Sequence, residues 1–407
     1  MDELTDGYKM EEKLALYGGN PIRSEKIFYG KHHVTQKDIE AVCNVLKSNY
    51  LTQGPAIVEF EKDLASFTNA AYAVAVANGT AALHVACIAA GVGPGDEVIT
   101  SPLTFAASAN CVLYCGGTVV FADVKEDTYE IDPASVEQLI TKKTKAVIAV
   151  DYAGNTADIF ELKRICTKHQ ITLIEDAAHS IGSVLNKHNV GSIADITTFS
   201  FHPVKTITGG EGGAITTNSQ EFARKARLGA CHGITKKPEE YVHSNVGKWY
   251  HEQQMLGFNY RLTDFQAALI TSQLHRISEL KERRNTIVSK YRTEFQNLPG
   301  IILQSQTKEC DPCWHLFTIR IEKDVVGCDR SLFFAALEAE NIQPQVHYIP
   351  VYHHPYYRAM GYRERLCPVA EKIYESILTI PLYPAMSDQD VDDVISAVKK
   401  IYFNFRK

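Results

Sequence analysis

One lysine, Lys205, stands at a proline-containing turn between two short apolar segments. Residues 197–201 precede this turn and residues 214–217 follow it, and both segments have the composition of β-strands. A primary amine condenses with an aldehyde, and burial or a neighbouring cation lowers its pKa. We therefore interpret Lys205 as a candidate to form a Schiff base with pyridoxal 5′-phosphate (PLP). A lone lysine near glycines is more often a surface residue, so the hypothesis depends on the rest of the chain.

A phosphate-carrying cofactor needs an anion site, and Gly79, Thr80 and Ala81 have a suitable position. They follow a predicted strand, residues 72–77, and open a predicted helix. The first N–H groups of a helix have no partner within the helix and attract anions. Ser200, five residues before the lysine, offers a hydroxyl donor as well. Many strand-to-helix turns look this way, so the turn alone is weak evidence.

The ring of such a cofactor also needs partners, and three residues are candidates. Asp176 ends a predicted strand, at the sheet edge where α/β proteins bind ligands, and a carboxylate there would keep a pyridine nitrogen protonated. His179 could donate to the ring hydroxyl, and Phe105 could stack on the ring. The alternatives are a helix cap for Asp176, a structural histidine and a core phenylalanine.

The elements around these residues alternate between short apolar strands and helices as far as residue 176. This pattern predicts an α/β protein with a mostly parallel sheet covered on both faces. From about residue 273 the pattern changes and includes a predicted strand at 345–348. We therefore predict three parts: an N-terminal surface arm (1–27), a large cofactor-binding domain (28–272) and a smaller C-terminal α+β domain (273–407). A helix with an apolar face of Ile39, Val42 and Leu46 is predicted after Thr35.

Composition excludes several classes of protein. The chain has 407 residues and a net charge of −6, which argues against nucleic acid or an anionic membrane as the main partner. There is no apolar run long enough to span a bilayer and no signal-peptide pattern, so we expect a cytoplasmic protein. The 10 cysteines are scattered, and the pair Cys310 and Cys313 lacks further ligands at motif spacing, so no metal site is predicted.

Four motifs occur in a fixed order: Asn-Gly-Thr-Ala-Ala-Leu at 78–83, Glu-Asp-Ala-Ala-His at 175–179, Ser-Phe-His-Pro-Val-Lys at 200–205 and Gly-Phe-Asn-Tyr-Arg-Leu at 257–262. As a set they resemble the DegT/DnrJ/EryC1/StrS family of nucleotide-sugar aminotransferases. The resemblance runs from about Tyr29 to near the C-terminus. It implies the fold-type I aminotransferase architecture and a homodimer with active sites at the subunit interface.

The resemblance also implies roles for individual residues. Lys205 would be the Schiff-base lysine and Asp176 the partner of the pyridine nitrogen. Asn259 and Arg261 would reach the cofactor site of the other subunit. One branch of the family replaces the lysine with histidine and catalyses dehydration, so the lysine of this chain implies transamination.

Three further segments, at 51–54, 150–154 and 345–350, resemble family members that aminate a UDP-linked sugar. The implied reaction moves the amino group of L-glutamate to the C4 ketone of UDP-2-acetamido-2,6-dideoxy-β-L-arabino-hex-4-ulose. The residues implied to border the sugar nucleotide are Tyr29, Asn49, Tyr50, Leu51, Thr52, Ser200, Asn259, His347, Tyr348 and Ile349. Two alternatives stay open: an aminotransferase for another nucleotide-linked 3- or 4-keto sugar, and a non-catalytic binding protein on the same fold.

Overall fold

The computed structural model describes residues 12–244 and 246–406. Its largest sheet has seven strands in the order β1-β7-β6-β5-β4-β2-β3. The strands are β1 (Tyr72–Val76), β2 (Glu97–Thr100), β3 (Thr118–Phe121), β4 (Thr144–Val150), β5 (Thr172–Asp176), β6 (Ile196–Ser200) and β7 (Gly213–Thr217). β7 pairs antiparallel with both of its neighbours, and the remaining pairings are parallel. The predicted α/β class and mostly parallel sheet are confirmed.

Helices cover both faces of this sheet, as continuous apolar strands require. They are α1 (Gln36–Leu46), α2 (Pro55–Thr68), α3 (Gly79–Ala90), α4 (Ala107–Tyr114), α5 (Pro133–Leu139), α6 (Ile159–His169), α7 (Gln220–Ala230) and α8 (Asp264–Leu274). Nine of the 12 residues of α3 are buried, and the Asn78 side chain caps its N-terminus. α3 is therefore fixed between the sheet and its neighbouring helices.

Helix α1 begins where the sequence predicts, with a capping box between Thr35 and Asp38. Its predicted apolar face is not buried within the chain, because Ile39 is 47% exposed and Leu46 is 55% exposed. These two apolar side chains are therefore exposed in the single chain, while Val42 is half-buried.

The C-terminal part forms a second, smaller sheet of three antiparallel strands, β8 (Ile301–Leu303), β9 (Phe317–Ile321) and β10 (Ile377–Ile380). Its helices are α9 (Ile277–Phe295), α10 (Lys323–Val326), α11 (Arg330–Ala339), α12 (Pro355–Ala359), α13 (Pro368–Ser376) and α14 (Asp388–Phe405). The N-terminal half of α9 packs in the core beside the large sheet, and its C-terminal half packs in the core of the small sheet. This helix therefore joins the two units.

The predicted strand at 345–348 is wrong. Gln345 forms one isolated bridge with Thr379, and the following residues are in neither helix nor strand. Their side chains instead line a cavity, which accounts for the apolar and aromatic pattern that resembled a strand.

Part of the predicted N-terminal arm, residues 1–11, lies outside the described residues. The remainder is not only a surface segment, because Leu14 and Ile27 are buried in the core of the small unit. None of the helices in the described ranges is both long and apolar enough to cross a membrane.

Candidate active site

A cavity of about 920 Å³ opens at the carboxyl ends of β5 and β6, beside the N-terminus of α3. Both structural units contribute to its walls. The predicted site residues that line it are Tyr29, Gly79, Thr80, Ala81, Phe105, Asp176, His179, Ser200, Lys205, His347 and Tyr348. The structure therefore brings most of the candidate residues to one place.

Lys205 lies in the wall of this cavity, at the end of a turn closed by its own N–H, which donates to the His202 carbonyl at 2.9 Å. Part of its surface faces the cavity, and the protein around it removes most of the water. Loss of hydration lowers the pKa of the Lys205 amine to about 8, although the Asp176 carboxylate opposes this shift. A substantial fraction of the amine is therefore neutral, and so nucleophilic, near neutral pH.

Asp176 is buried at the end of β5, and donors hold both of its oxygens. Ser108 Oγ donates to Oδ2 at 2.6 Å, and the Ala178 N–H donates to Oδ1 at 3.2 Å. Burial raises the pKa of the Asp176 carboxyl, while these two hydrogen bonds and the charge of Lys205 lower it. The carboxylate is thus oriented by the protein and available to a cation in the cavity.

The N-terminus of α3 forms an anion site together with Ser200. The N–H groups of Gly79 and Thr80 have no hydrogen-bond partner among the described residues, whereas the Ala81 N–H donates to Asn78 Oδ1 at 2.8 Å. The sequence predicted that the Ala81 N–H is also free to bind an anion, and the structure shows instead that it is bonded to the Asn78 side chain. A Cβ on Gly79 would lie 2.7 Å from Ser200 Cβ, so glycine is what allows the helix N-terminus and the serine hydroxyl to meet.

Phe105 is not a core residue, which was the alternative interpretation of its place in the sequence. Its side chain is 62% exposed and borders the cavity, 6.4 Å from the Tyr348 ring between centroids. An exposed aromatic ring at the mouth of a cavity is a suitable surface for stacking a planar ligand.

His179 is buried, and both of its ring nitrogens are engaged. The Ala153 N–H donates to Nδ1 at 3.2 Å, so Nδ1 is the acceptor and Nε2 carries the proton. Nε2 lies 3.1 Å from the Tyr348 hydroxyl. Burial, and then the charge of Lys205, lower the pKa of His179, which keeps the ring neutral. The predicted bond to a ring hydroxyl would have to share this Nε2 proton with Tyr348.

The opposite wall comes mainly from the C-terminal part of the chain. His347 Nδ1 and Thr379 Oγ1 share a hydrogen bond of 2.9 Å. Burial lowers the pKa of His347 to about 3. The Tyr29 ring lies 5.4 Å from the His347 ring between centroids. These rings make a neutral, aromatic wall facing the lysine.

Seven predicted residues lie outside the cavity, and six of them are Asn49, Tyr50, Leu51, Thr52, Asn259 and Arg261. They form two adjoining segments, because Thr52 pairs with Thr263 and the Asp264 N–H donates to the Leu51 carbonyl at 3.0 Å. Tyr260 lies between Asn259 and Arg261 and does line the cavity of its own chain. Ile349 also lies outside the cavity, with its side chain 41% exposed.

Among the residues of the cavity wall that sequence reasoning missed are Ser108, Tyr260 and His315. Ser108 had a weak signal, since Thr104 and Ser108 place two hydroxyls one turn apart beside an otherwise apolar helix. His315 is 4% exposed, its Nδ1 has no partner among the described residues, and its ring lies 4.5 Å from that of His179. In the sequence, His315 is an isolated histidine before an apolar strand, and nothing there indicates that it lines a cavity.

The residues present fit PLP. The cavity holds an amine for the aldehyde, a buried carboxylate for the pyridine nitrogen and an aromatic side chain for the ring, and the free N–H groups beside Ser200 suit the phosphate. Fold and site together define a fold-type I, PLP-dependent aminotransferase.

The chain belongs to the DegT/DnrJ/EryC1/StrS aminotransferase family, whose model matches residues 32–399. It is 41% identical to the spore coat polysaccharide biosynthesis protein SpsC of Bacillus subtilis, over 93% of this chain and 98% of SpsC. The PLP form of Spr1654, a putative sugar aminotransferase from Streptococcus pneumoniae, is 30% identical with a TM-score of 0.86, over 94% of this chain and 100% of that one. Helicobacter pylori PseC, an aminotransferase involved in the biosynthesis of pseudoaminic acid, is also 30% identical with a TM-score of 0.86, over 93% and 99% of the two chains.

Proposed function

We propose that this sugar aminotransferase moves the amino group of L-glutamate to the C4 ketone of UDP-2-acetamido-2,6-dideoxy-β-L-arabino-hex-4-ulose. The product would be UDP-4-amino-4,6-dideoxy-N-acetyl-β-L-altrosamine, the aminated intermediate of pseudaminic acid biosynthesis. The main support for this chemistry is that Lys205 and Asp176 line the same cavity. Burial there lowers the pKa of Lys205 to about 8.

Bound PLP supplies an aldehyde that links covalently to amines and a ring that accepts electrons from the bond being broken. Lys205 provides the amine that holds the cofactor. Once released, the same amine would take a proton from the donor carbon and deliver it to the cofactor carbon, since a pKa of about 8 suits both transfers. Asp176 holds the proton on the pyridine nitrogen, and Ser108 keeps that carboxylate oriented. Gly79, Thr80 and Ser200 would bind the phosphate.

The choice of acceptor rests on the wall opposite the lysine. Tyr29, His347 and Tyr348 face the cavity, and His347 and Tyr348 belong to a segment that resembles UDP-sugar aminotransferases. Their neutral rings and hydroxyls suit the uncharged face of a 6-deoxy sugar better than a charged amino acid side chain. A volume of about 920 Å³ accommodates a sugar beside the cofactor.

A second copy of the chain is the proposed source of the remaining contacts. Asn259 is exposed and lies outside the cavity of its own chain, as do the exposed residues Tyr50 and Leu51. The uncovered apolar face of α1, with Ile39 and Leu46, would be buried in a homodimer. Asn259 and Arg261 would then complete the cofactor site of the other subunit.

A single-turnover assay tests the acceptor. The PLP enzyme is converted to its amino form with glutamate, excess donor is removed, and candidate keto sugars are added one at a time. The visible absorption of lysine-bound PLP should return fastest with the UDP-linked 4-keto sugar. SpsC, with a role in spore coat polysaccharide biosynthesis, is more similar to this chain than PseC is. Keto sugars with other nucleotides, or with a C3 ketone, are therefore included, and faster return with one of them would reject the proposed acceptor.

A further inference from the structure

Residues 151–155, named here the 151–155 loop, connect β4 to both walls of the cavity. The Ala153 N–H donates to His179 Nδ1, and the Ala153 carbonyl accepts from the His315 N–H at 2.8 Å. The Tyr152 hydroxyl donates to the His347 carbonyl. One short loop thus contacts three histidine residues of the site and sets the tautomer of one of them.

Asp151 anchors this loop. Its side chain is fully buried, with Oδ2 accepting from Ser180 Oγ at 2.5 Å and Oδ1 accepting from the Ala157 N–H at 2.9 Å. Ser180 directly follows His179 in the chain. Asp151 therefore ties together the loop that donates to His179 and the segment that carries His179.

The Asp151 carboxyl group also hydrogen-bonds to a second buried acid, Glu175. β4 and β5 are parallel neighbours with Ala149 opposite Glu175, so alternation places the side chains of Asp151 and Glu175 on the same face of the sheet. Asp176 points to the other face, toward the cavity. The pair therefore lies directly behind the residue proposed to hold the pyridine nitrogen.

Two acids in hydrogen-bond contact share one proton, because two buried carboxylates would repel each other. Each acid accepts two further hydrogen bonds, Glu175 from Thr197 Oγ1 at 2.8 Å and from the Gly191 N–H, so these bonds do not decide which acid is charged. Asp151 holds the proton because the charge of Asp176, in addition to that of Glu175, raises its pKa. Burial raises the pKa of Glu175 to about 7 and raises that of Asp151 well above its ordinary value. The other carboxyl groups near Asp151 are Asp176 and Glu130, which is also buried and accepts from the Tyr152 N–H at 3.2 Å.

We propose that Asp151 is a positioning residue: held as a neutral acid by Glu175, it fixes the 151–155 loop and so holds His179 as the tautomer with its proton on Nε2. The catalytic consequence rests on the proposed function, in which His179 faces the cofactor ring. The tautomer itself does not depend on that function.

The substitution Asp151→Asn separates this proposal from a general packing role. Asparagine reproduces a neutral acid, because its oxygen can accept from Ala157 while its two N–H groups donate to Glu175 and Ser180. Asp151→Leu has a similar volume and makes none of these bonds. Ser180→Ala removes one bond from the Asp151 side chain and is the milder variant if the leucine protein does not fold.

The test is ¹⁵N NMR of histidine-labelled protein without cofactor, with the His179 signals assigned from a His179→Gln spectrum. Wild type and Asp151→Asn should show a single Nε2–H tautomer, and Asp151→Leu and Ser180→Ala should show a mixture. Unchanged His179 shifts in the latter two variants would overturn the proposal. An Asp151→Asn spectrum like that of Asp151→Leu would overturn the neutral-acid assignment.

The second readout is the single-turnover rate of the PLP enzyme with glutamate. We expect a loss of about tenfold or more in Asp151→Leu, because small misplacements of oriented groups have effects of this size, and Asp151→Asn should restore the rate. Glu130→Gln is the matched control, since Glu130 is a buried acid that accepts from the Tyr152 N–H of the same loop and is not bonded to Asp151 or Ser180. An equal loss there would reject a specific role for Asp151. If wild type is inactive with glutamate, the proposed function fails, while the NMR result still decides the positioning of His179.

Discussion

Ser108 Oγ donates a hydrogen bond of 2.6 Å to Asp176 Oδ2 across 68 residues of sequence. This bond joins the first turn of α4 to the end of β5 and lies in the cavity wall. Burial alone would favour the neutral acid at Asp176, and Ser108 makes the largest contribution that opposes it. The serine therefore orients this carboxylate and favours its charged form.

Asp176→Asn should lower turnover at least about 100-fold, because an amide cannot keep the pyridine nitrogen protonated.

Ser108→Ala should lower turnover by about tenfold, since hydrogen bonds to charged groups are worth about 1.5–3 kcal/mol. Loss of this donor raises the pKa of Asp176 further, so the acidic limb of the pH–rate profile should move to higher pH. Steady-state rates from pH 5 to 9 check both variants; equal rates for Asp176→Asn and wild type would contradict the assigned role.

Covalent capture of PLP by the apoprotein should depend on the pKa of Lys205. The neutral amine is the nucleophile, and a pKa of about 8 means that it predominates above pH 8. The capture rate should therefore rise between pH 6.5 and 8 and then level off, as followed by the visible absorption of the lysine–PLP linkage. A rate that keeps rising toward pH 10.5 would show an ordinary lysine, and Lys205→Ala should show no linkage at any pH.

Gly79→Ala should weaken PLP binding, because its Cβ would lie 2.7 Å from Ser200 Cβ in the proposed phosphate site. Overpacking costs about 1–3 kcal/mol, and about 1.4 kcal/mol of it corresponds to a tenfold higher Kd. The matched control is Gly93→Ala, where an added Cβ meets nothing within 4 Å. PLP titration of both apoproteins, with Tm values alongside, measures the difference. Equal Kd values would remove the anion site from this turn.

Much of the fold was predictable because the signals are local. Each strand of the large sheet is a short apolar run, and Asp176 and Lys205 each follow one, so their meeting at one sheet edge could be expected. The bond between Ser108 and Asp176 could not, because it depends on how α4 packs. The same holds for the Asp151 and Glu175 pair, which needs the register of β4 on β5.

The wrong strand at 345–348 has a similar cause. Alternating polar and apolar residues predict a half-buried strand whether they face a core or a ligand cavity. His347 and Tyr348 face the cavity instead of pairing with a neighbouring strand. Ile39 and Leu46 are a second example, because their periodicity correctly predicted a helix but could not show whether the side chains are buried or exposed in the single chain.

Shared active sites can be tested by mixing two inactive proteins. Lys205→Ala should abolish turnover, and the double variant Asn259→Ala/Arg261→Ala should lose most of it by damaging the partner's site. Random mixing makes half of the dimers mixed, each with one intact site of two, so about 25% of wild-type activity should return. Co-expression with two different tags and assay of the mixture measure this value. Lys205→Ala mixed with Asp176→Asn is the control, because both changes damage the same subunit's site and no activity should return; no recovery in the first mixture would reject shared sites.

Glu340 should determine how firmly the N-terminal segment is held. It is fully buried and accepts from the Ala15 and Ile22 N–H groups, each at 2.9 Å, and from Lys400 Nζ at 3.0 Å. Glu340→Ala removes the acceptor of both N–H groups and the carboxylate paired with the buried Lys400, which keeps only the neutral Asn20 carbonyl at 2.8 Å. Loss of one partner of a buried ion pair costs about 3–5 kcal/mol. Urea unfolding should show this loss, and trypsin should cut faster at Lys13. Glu338→Ala, a change at an exposed position two residues away, should stay within about 0.5 kcal/mol. The same stability for both variants would mean that residues 12–22 contribute little to the fold.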